Sequence, residues 1–367
     1  MSNLSIETKK FMLRAVELSK KNWGLTGENP SVGAVLVKNG KIIKEAVTSY
    51  NGRPHAEAIL LRNKIFEKAD LYVTLEPCCH FGKTPPCTSF IINSKIKRVF
   101  VGIKDPNPIV NGKGLKILKS AKIEVFNNIL PEECAEPNEW FFKRFKSEFP
   151  YITIKTAISL DGKIATSTGI SRWISSKKSR IFTQTLRKRH HAIMVGTNTI
   201  LKDNPSLTIH EKNIIKQPDR IILDPDGILS PSFNVFKKHI NERVFYFTGS
   251  KKTEKKFKNL NHVKIFYLPK KNCFLDILKI MKILKEEKVW SILVEGGGTL
   301  NASIIENNLV DRLYVVISPR LIGGKDAPTL FDGTGFKNLS KTPLLKNVEY
   351  IQSEQDIIIT GFLKRYF

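Results

Sequence analysis

The stretch Leu71-Tyr72-Val73-Thr74-Leu75-Glu76-Pro77-Cys78-Cys79-His80-Phe81-Gly82-Lys83-Thr84-Pro85-Pro86-Cys87 decides the fold, read together with His55-Ala56-Glu57 upstream of it. Leu71–Leu75 is a short apolar run that predicts a buried strand. Pro77 and the Gly/Pro-rich loop behind it end that strand before a helix near Ser89. Working outward, apolar residues at Phe11, Met12, Ala15, Val16 and Leu18 line one face of an opening helix. Two β-rich runs follow, Val32–Val37 and Ile42–Val47. The Asn39-Gly40 pair between them predicts a hairpin, because both central positions of a type I′ turn need φ > 0. A helical stretch from His55 to Arg62, strand Val99–Ile103, a helix near Leu115 and strand Lys122–Phe126 complete an α/β domain of about 145 residues.

The polar and aromatic stretch Glu132–Phe149 leads to Pro150, where a second alternating pattern begins. It predicts strands at Tyr151–Ile158, Ala192–Val195, Arg220–Leu223, Arg243–Phe247, Val263–Tyr267, Ser291–Val294, Arg312–Ser318 and Ile357–Gly361. Helices are predicted at Lys177–His190, on the face formed by Phe274, Ile277, Leu278, Met281 and Leu284, and at Thr299–Asn307. The strands are nearly continuous in apolar character, as in sheets covered on both faces. Neither half repeats the other. Residues 1–147 and 148–367 are therefore expected to be two different α/β domains with two different jobs.

The 367 residues carry 60 Lys+Arg against 34 Asp+Glu, a formal charge of +26. With 41% hydrophobic and 26% charged residues, wholesale disorder is excluded. No run approaches the roughly 20 apolar residues of a membrane helix, and the charged opening helix does not read as a signal peptide. A cytoplasmic protein with no membrane partner is the expectation. Basic charge normally suggests nucleic acid, but here Lys is scattered through almost every segment and no aromatic residues alternate along a basic stripe. Heavy joint use of Ile, Asn and Lys fits compositional drift, with attraction of phosphorylated substrates as the functional alternative. No nucleic-acid partner is expected. The five cysteines are odd in number and three fall between Cys78 and Cys87, which argues against a disulfide framework.

His55, Cys78 and Cys87 offer one imidazole and two thiolates, a tetrahedral zinc site with its fourth position open, as catalytic rather than structural zinc requires. A metal so held lowers the pKa of water toward ~7. Glu57, two residues after His55, then sits beside the metal as general acid and base, the pattern of the H-x-E…P-C-x-x-C zinc deaminases. The spacing departs from that pattern, because the segment 79–86 separates the two cysteines where two residues are usual. Cys79 and His80 within it are rival ligands. Cys78 is preferred because it directly follows Glu76-Pro77 at the strand end. The alternatives are a four-ligand structural zinc and buried thiols without metal.

These motifs, with Asn29-Pro30-Ser31-Val32-Gly33, Asp105-Pro106-Asn107-Pro108, Ser159-Leu160-Asp161-Gly162 and Asp203-Asn204-Pro205-Ser206-Leu207-Thr208, resemble the bifunctional riboflavin-biosynthesis deaminase/reductase family from end to end, the long Cys-to-Cys loop included. The resemblance implies a cytidine-deaminase-like α/β/α domain followed by a dihydrofolate-reductase-like α/β domain. It implies deamination of 2,5-diamino-6-(5-phosphoribosylamino)pyrimidin-4-one and then NADPH-dependent reduction to 5-amino-6-(5-phosphoribitylamino)uracil. Asn29 and its neighbours would hold the pyrimidine. The sequence also leaves room for a homo-oligomer.

The second half lacks a GxGxxG fingerprint. Val294-Glu295-Gly296-Gly297-Gly298-Thr299 and Val195-Gly196-Thr197-Asn198-Thr199 are strand-end loops where backbone can approach an anionic ligand. The resemblance implies NADP contacts at Ala157, Trp173, Thr199, Asp203, Gly297, Gly298, Thr299, Leu300, Asn301, Ala302 and Ser303. It implies substrate contacts at Ser171, Arg187, Leu207, His210 and Glu295. Lys155, Asp203 and Glu295 are candidates for shaping the hydride step. At position 210 the family's usual Arg is replaced by His, which cannot make a bidentate fork to phosphate. Weaker phosphate binding, or help from a neighbouring Lys, is expected. Two rival readings are a deaminase acting on tRNA or free nucleosides and a basic nucleic-acid-binding module built on a structural zinc. The first is opposed by the second domain, and the second needs a fourth protein ligand.

Overall fold

In the computed structural model, which describes residues 5–82, 84–211 and 214–367, Asn39 and Gly40 take φ of 51° and 68°. They close a two-residue hairpin between β1 (Gly33–Lys38) and β2 (Lys41–Val47), with Lys38 opposite Lys41. The chain divides into two units: residues up to Ser147 together with Tyr366 and Phe367, and Glu148–Arg365. The last two residues thus group with the first unit, whereas the sequence reading assigned them to the second. Phe367 packs edge-on against Phe142, which accounts for the difference.

In the first unit α1 (Ile6–Lys21) precedes the hairpin. Then come α2 (Ala56–Leu61), β3 (Asp70–Leu75), α3 (Cys87–Asn93), β4 (Arg98–Ile103), α4 (Lys113–Ser120), β5 (Glu124–Phe126), α5 (Pro131–Ala135) and α6 (Glu139–Arg144). The sheet order is β2-β1-β3-β4-β5, antiparallel through β1 and parallel from β3 onward. Phe11, Met12, Ala15, Val16 and Leu18 of α1 bury against Val35, Val37, Tyr72 and Phe100. Gly33 permits this approach, since a Cβ there would lie 1.9 Å from the Ala15 carbonyl oxygen. The alternate residues Leu36, Leu71, Val73 and Val101 are also buried, so both faces are covered. The last strand begins at Glu124 and not at Lys122, because Lys122 takes φ of 61° in the turn out of α4.

The second unit follows the order β6 (Tyr151–Ser159), α7 (Lys177–Arg189), β7 (Ala192–Gly196), α8 (Thr197–Asp203), β8 (Asp219–Asp224), β9 (Val244–Thr248), α9 (Thr253–Phe257) and β10 (Val263–Tyr267). A small hairpin, β11 (Lys270–Lys271) and β12 (Phe274–Leu275), leads to α10 (Ile277–Glu286), β13 (Ser291–Val294), α11 (Gly298–Glu306), β14 (Arg312–Ser318), β15 (Lys346–Ser353) and β16 (Asp356–Phe362). The sheet order is β10-β9-β8-β7-β13-β6-β14-β16-β15, parallel from β10 to β14, with two apolar cores over its faces. Phe274 does not join the helix expected to carry it. Asp276 caps α10 by accepting the Lys279 N–H at 3.1 Å, which starts the helix three residues later. No helix among the described residues is long and apolar enough to cross a membrane.

Candidate functional site

Three element ends converge in the first unit. His55 is the extended residue that caps α2, Cys78 lies just beyond β3, and Cys87 is the first residue of α3. Their ligand atoms all lie within 4.8 Å of one another. His55 Nδ1 is 3.4 Å from Cys87 Sγ and 3.7 Å from Cys78 Sγ. A tetrahedral zinc with one nitrogen and two sulfur ligands separates its donor atoms by roughly 3.5–3.8 Å, so this donor set fits that metal. The start of α3 secures the arrangement: the Cys87 N–H donates to Cys78 Sγ at 3.3 Å, and the Thr88 N–H to the Cys78 carbonyl at 3.2 Å. Cys79 instead turns its sulfur toward the Ile109 carbonyl, 3.8 Å away, and His80 is not part of the cluster.

Within the cluster the two thiols differ in how firmly they hold their protons. The hydrogen bond from Cys87, and after it the one from His55, draws the Cys78 thiol down to about 4. The same pairing with Cys78, followed by burial, holds the Cys87 proton well above the usual thiol range. Glu57 sits on the first turn of α2, 3% exposed, and burial pushes its carboxyl up, with the Cys78 charge adding to the effect. Asn29 borders the loop leading to His55. Its Nδ2 donates to the Gly52 carbonyl at 3.2 Å, and Gly52, at φ of 80°, leaves no room for a side chain against it.

In the second unit β7 and β13 are parallel neighbours, with Met194 opposite Val294. The connection after β7 runs to β8 on one side of the sheet, and the connection after β13 runs to β14 on the other. This is a topological switch point, where open α/β sheets leave a crevice beyond the strand ends. Gly196 and Gly297 sit at those two ends, and at each the space a Cβ would occupy is open. α11 starts there with its free N–H groups. Gly298 plays a packing part instead, since a Cβ would meet Asp332 at 2.3 Å. Of the rest of the expected cofactor stretch, Thr299 is exposed and Ser303 half-buried, while the three residues between them face inward. Leu300 packs on the core, Asn301 donates to the Leu330 carbonyl at 3.1 Å, and Ala302 is buried, so these residues offer the crevice backbone and not side chains.

Arg187 and Glu295 form a bidentate pair at 2.7 Å for both bonds, and Arg187 Nη1 also donates to the Thr208 carbonyl at 2.8 Å. Of the five N–H groups a guanidinium carries, three are engaged in these bonds among the described residues. Burial works to raise the Glu295 carboxyl, and the Arg187 charge overrides it. With side chains 12% and 13% exposed, removing either partner strands a charge, at a cost of about 3–5 kcal/mol. Lys155 on β6 feels both charges, and burial lowers its pKa. Ser171 Oγ is 3.4 Å from Asp203 Oδ1 at the end of α8, and Arg172 donates to the Asp203 carbonyl at 2.5 Å. Trp173 is 62% exposed beneath the Arg180 guanidinium, 4.4 Å from the ring centre. Thr199 lies within α8, where the sequence reading had only a loop, and Ala157 lies on β6. The Leu207 side chain packs into the core, so a ligand meets only its backbone, held at φ of 53°. His210 Nε2 lies 3.0 Å from Thr208 Oγ1, while Lys188 on α7 is committed to Glu211 at 2.9 Å. Asp161, quoted as a motif without a role, accepts the Ile322 and Gly323 N–H groups at 3.0 and 2.6 Å and anchors that loop.

Residues 5–103 match the cytidine and deoxycytidylate deaminase zinc-binding region, and residues 150–359 match the RibD C-terminal domain. The chain is 41% identical to the riboflavin biosynthesis protein RibD of Aquifex aeolicus over 361 residues, 98% of each chain, and 40% identical to that of Bacillus amyloliquefaciens over 96% of each. Its fold matches the crystal structure of a diaminohydroxyphosphoribosylaminopyrimidine deaminase/5-amino-6-(5-phosphoribosylamino)uracil reductase from Thermotoga maritima. There the TM-score is 0.86 at 36% identity, covering 97% of this chain and 98% of that one. An Acinetobacter baumannii RibD structure gives a TM-score of 0.85 at 32% identity, with the same coverage. The chain belongs to the RibD family of bifunctional riboflavin-biosynthesis enzymes, with a deaminase domain followed by a reductase domain.

Proposed function

We propose that the first unit deaminates 2,5-diamino-6-(5-phosphoribosylamino)pyrimidin-4-one, with His55, Cys78 and Cys87 as zinc ligands and Glu57 as the proton carrier. The second unit then reduces the ribosyl group to ribityl with NADPH. The observation that carries this reading is the meeting of one imidazole and two thiols within 4.8 Å, beside a buried carboxyl. With zinc held there, water becomes acidic enough, at a pKa of about 7, to serve as the nucleophile at neutral pH. Glu57 supplies what the ligands cannot. Its carboxylate oxygen takes the proton of the attacking water and delivers it to the departing amino nitrogen. Its raised pKa suits a group that must both accept and release. Asn29, anchored through Gly52, keeps its carbonyl oxygen for the pyrimidine.

In the second unit NADPH supplies the hydride, and the chain supplies orientation. Open space at Gly196 and Gly297 would let backbone come up against the dinucleotide, and the N-terminus of α11 would offer free N–H groups to its phosphates. Opening the ribose leaves a carbonyl or imine at C1′ that needs a proton as it accepts hydride. Lys155, with its pKa lowered by burial beside Glu295, is suited to give one. Ser171, His210 and Arg187 serve the substrate phosphate.

Glu57→Gln should lower deamination about 10²–10⁴-fold while leaving reduction of the already deaminated compound intact, and chelation should likewise remove only the first activity. Separate assays of the two half-reactions check this, and loss of both with the fold preserved would contradict it. Gly297→Val should raise KM for NADPH by about tenfold or more, because the side chain fills the open space at the strand end. Deamination should not change. His210→Arg should lower KM for the phosphorylated substrate of the reductase by up to about tenfold, and an unchanged KM would count against a phosphate-side role for position 210.

A further inference from the structure

Glu76, between β3 and Cys78, has a function that neither its motif nor the proposed mechanism supplies. α4 opens at Gly112, which takes φ of 78° and has no side chain to cap the helix. A capping box normally meets that need with two side chains, one serving the N–H of the third helical residue and the other the N–H of the cap. Here one carboxylate from a different element does both. Glu76 Oε2 accepts the Gly112 N–H at 2.9 Å, and Oε1 accepts the Leu115 N–H at 3.3 Å. Oε2 also accepts the Asp105 N–H at 3.3 Å, so both ends of the segment 105–115 are tied to one buried side chain. Gly114 allows the contact to be this close, since a Cβ there would lie 2.3 Å from the Pro77 carbonyl oxygen and 3.1 Å from Glu76 Oε1.

The turn Glu76-Pro77-Cys78 is therefore fixed from both sides. The Glu76 N–H donates to the Ile103 carbonyl at 2.9 Å on the sheet side, and on the other its carboxylate and the Pro77 carbonyl abut α4. The segment it holds is itself ordered by side chains, with Asp105 accepting the Asn107 N–H at 2.7 Å and Asn107 the Ile109 N–H at 3.1 Å. Ile109 in turn accepts Cys79 Sγ at 3.8 Å, which turns the rival thiol away from His55 and Cys87.

We propose that Glu76 is a positioning residue for zinc: by docking the Pro77–Cys78 turn onto the segment 105–115, it fixes the Cys78 sulfur in the ligand cluster and keeps Cys79 out of it. This rests on the reading of Cys78 as a zinc ligand. Groups that orient a ligand without touching the metal typically account for 10–100-fold in affinity. A cap that only stabilised α4 would leave zinc affinity unchanged once the unit is folded.

The experiment uses the full chain. Zinc affinity is measured by competition with a chelator of known affinity, and ligand geometry by the thiolate-to-metal absorption of the cobalt(II) form. Glu76→Gln keeps the size of the side chain but sets an amide NH₂ against backbone N–H groups. It should weaken zinc about 10–100-fold and alter the cobalt spectrum, while reduction by the second unit stays at the parent rate. Parent-like zinc affinity with a parent-like cobalt spectrum would overturn the proposal. If Glu76→Gln does not fold, Gly114→Ala probes the same contact with the carboxylate intact, and the same weakening is expected. Normal zinc affinity in Gly114→Ala then overturns the proposal. Cys78→Ser separates this inference from the reading beneath it: if that variant binds zinc as tightly as the parent, the ligand assignment itself fails and the role of Glu76 falls with it.

Discussion

Burying three metal-ligating side chains costs solvation, so an imidazole and two thiols stay within a few ångströms only where the backbone fixes them there. In the first unit each comes from an element boundary: the cap of α2, the exit of β3 and the first residue of α3. Each boundary is pinned by its own hydrogen bonds, and the N–H at the start of α3 reaches the Cys78 sulfur directly. The sheet and its two-sided burial serve to hold those boundaries still. Glu57 follows from the same constraint, since a residue on the first turn of α2 is carried to the cluster once His55 is placed.

The second unit solves a related problem with strand order. Parallel strands diverge in their connections at β7 and β13, and the two glycines there keep the crevice open. The charged residues beyond the strand ends are paired among themselves, Arg187 to Glu295, with Lys155 close by. Both units therefore gather their candidate site residues near the carboxyl ends of strands. Backbone groups are freed there and side chains can be aimed without breaking the sheet.

Much of this was readable from residue order. Asn39-Gly40 forces its turn whatever surrounds it, and His55, Glu57, Cys78 and Cys87 were legible because few other arrangements give those residue types a purpose. Buried strands declared themselves through unbroken apolar runs. β15 did not, because nearly all of Lys346–Ser353 is exposed and no burial imprints a period on it. Phe274 looked helical by spacing, but a local cap at Asp276 outweighed the pattern. The Arg187–Glu295 pair joins residues far apart in the chain, and the capping of α4 by Glu76 likewise spans two elements. Pairings of that kind have no signature along the sequence, although a helix opening on Gly112-Lys113-Gly114 with no capping side chain hints that something distant must serve it.

The bidentate Arg187–Glu295 pair has a consequence for how the crevice responds to solution conditions. With its arginine already neutralised by a resident carboxylate, the pair adds no net charge of its own at the strand ends, despite the +26 charge of the whole chain. Under the proposed phosphate-side role of Arg187, an arriving phosphate would share that arginine with Glu295 and would not create a new ion pair from free ions. Added salt would then act mainly on the long-range approach of the substrate and only weakly on its residence once docked.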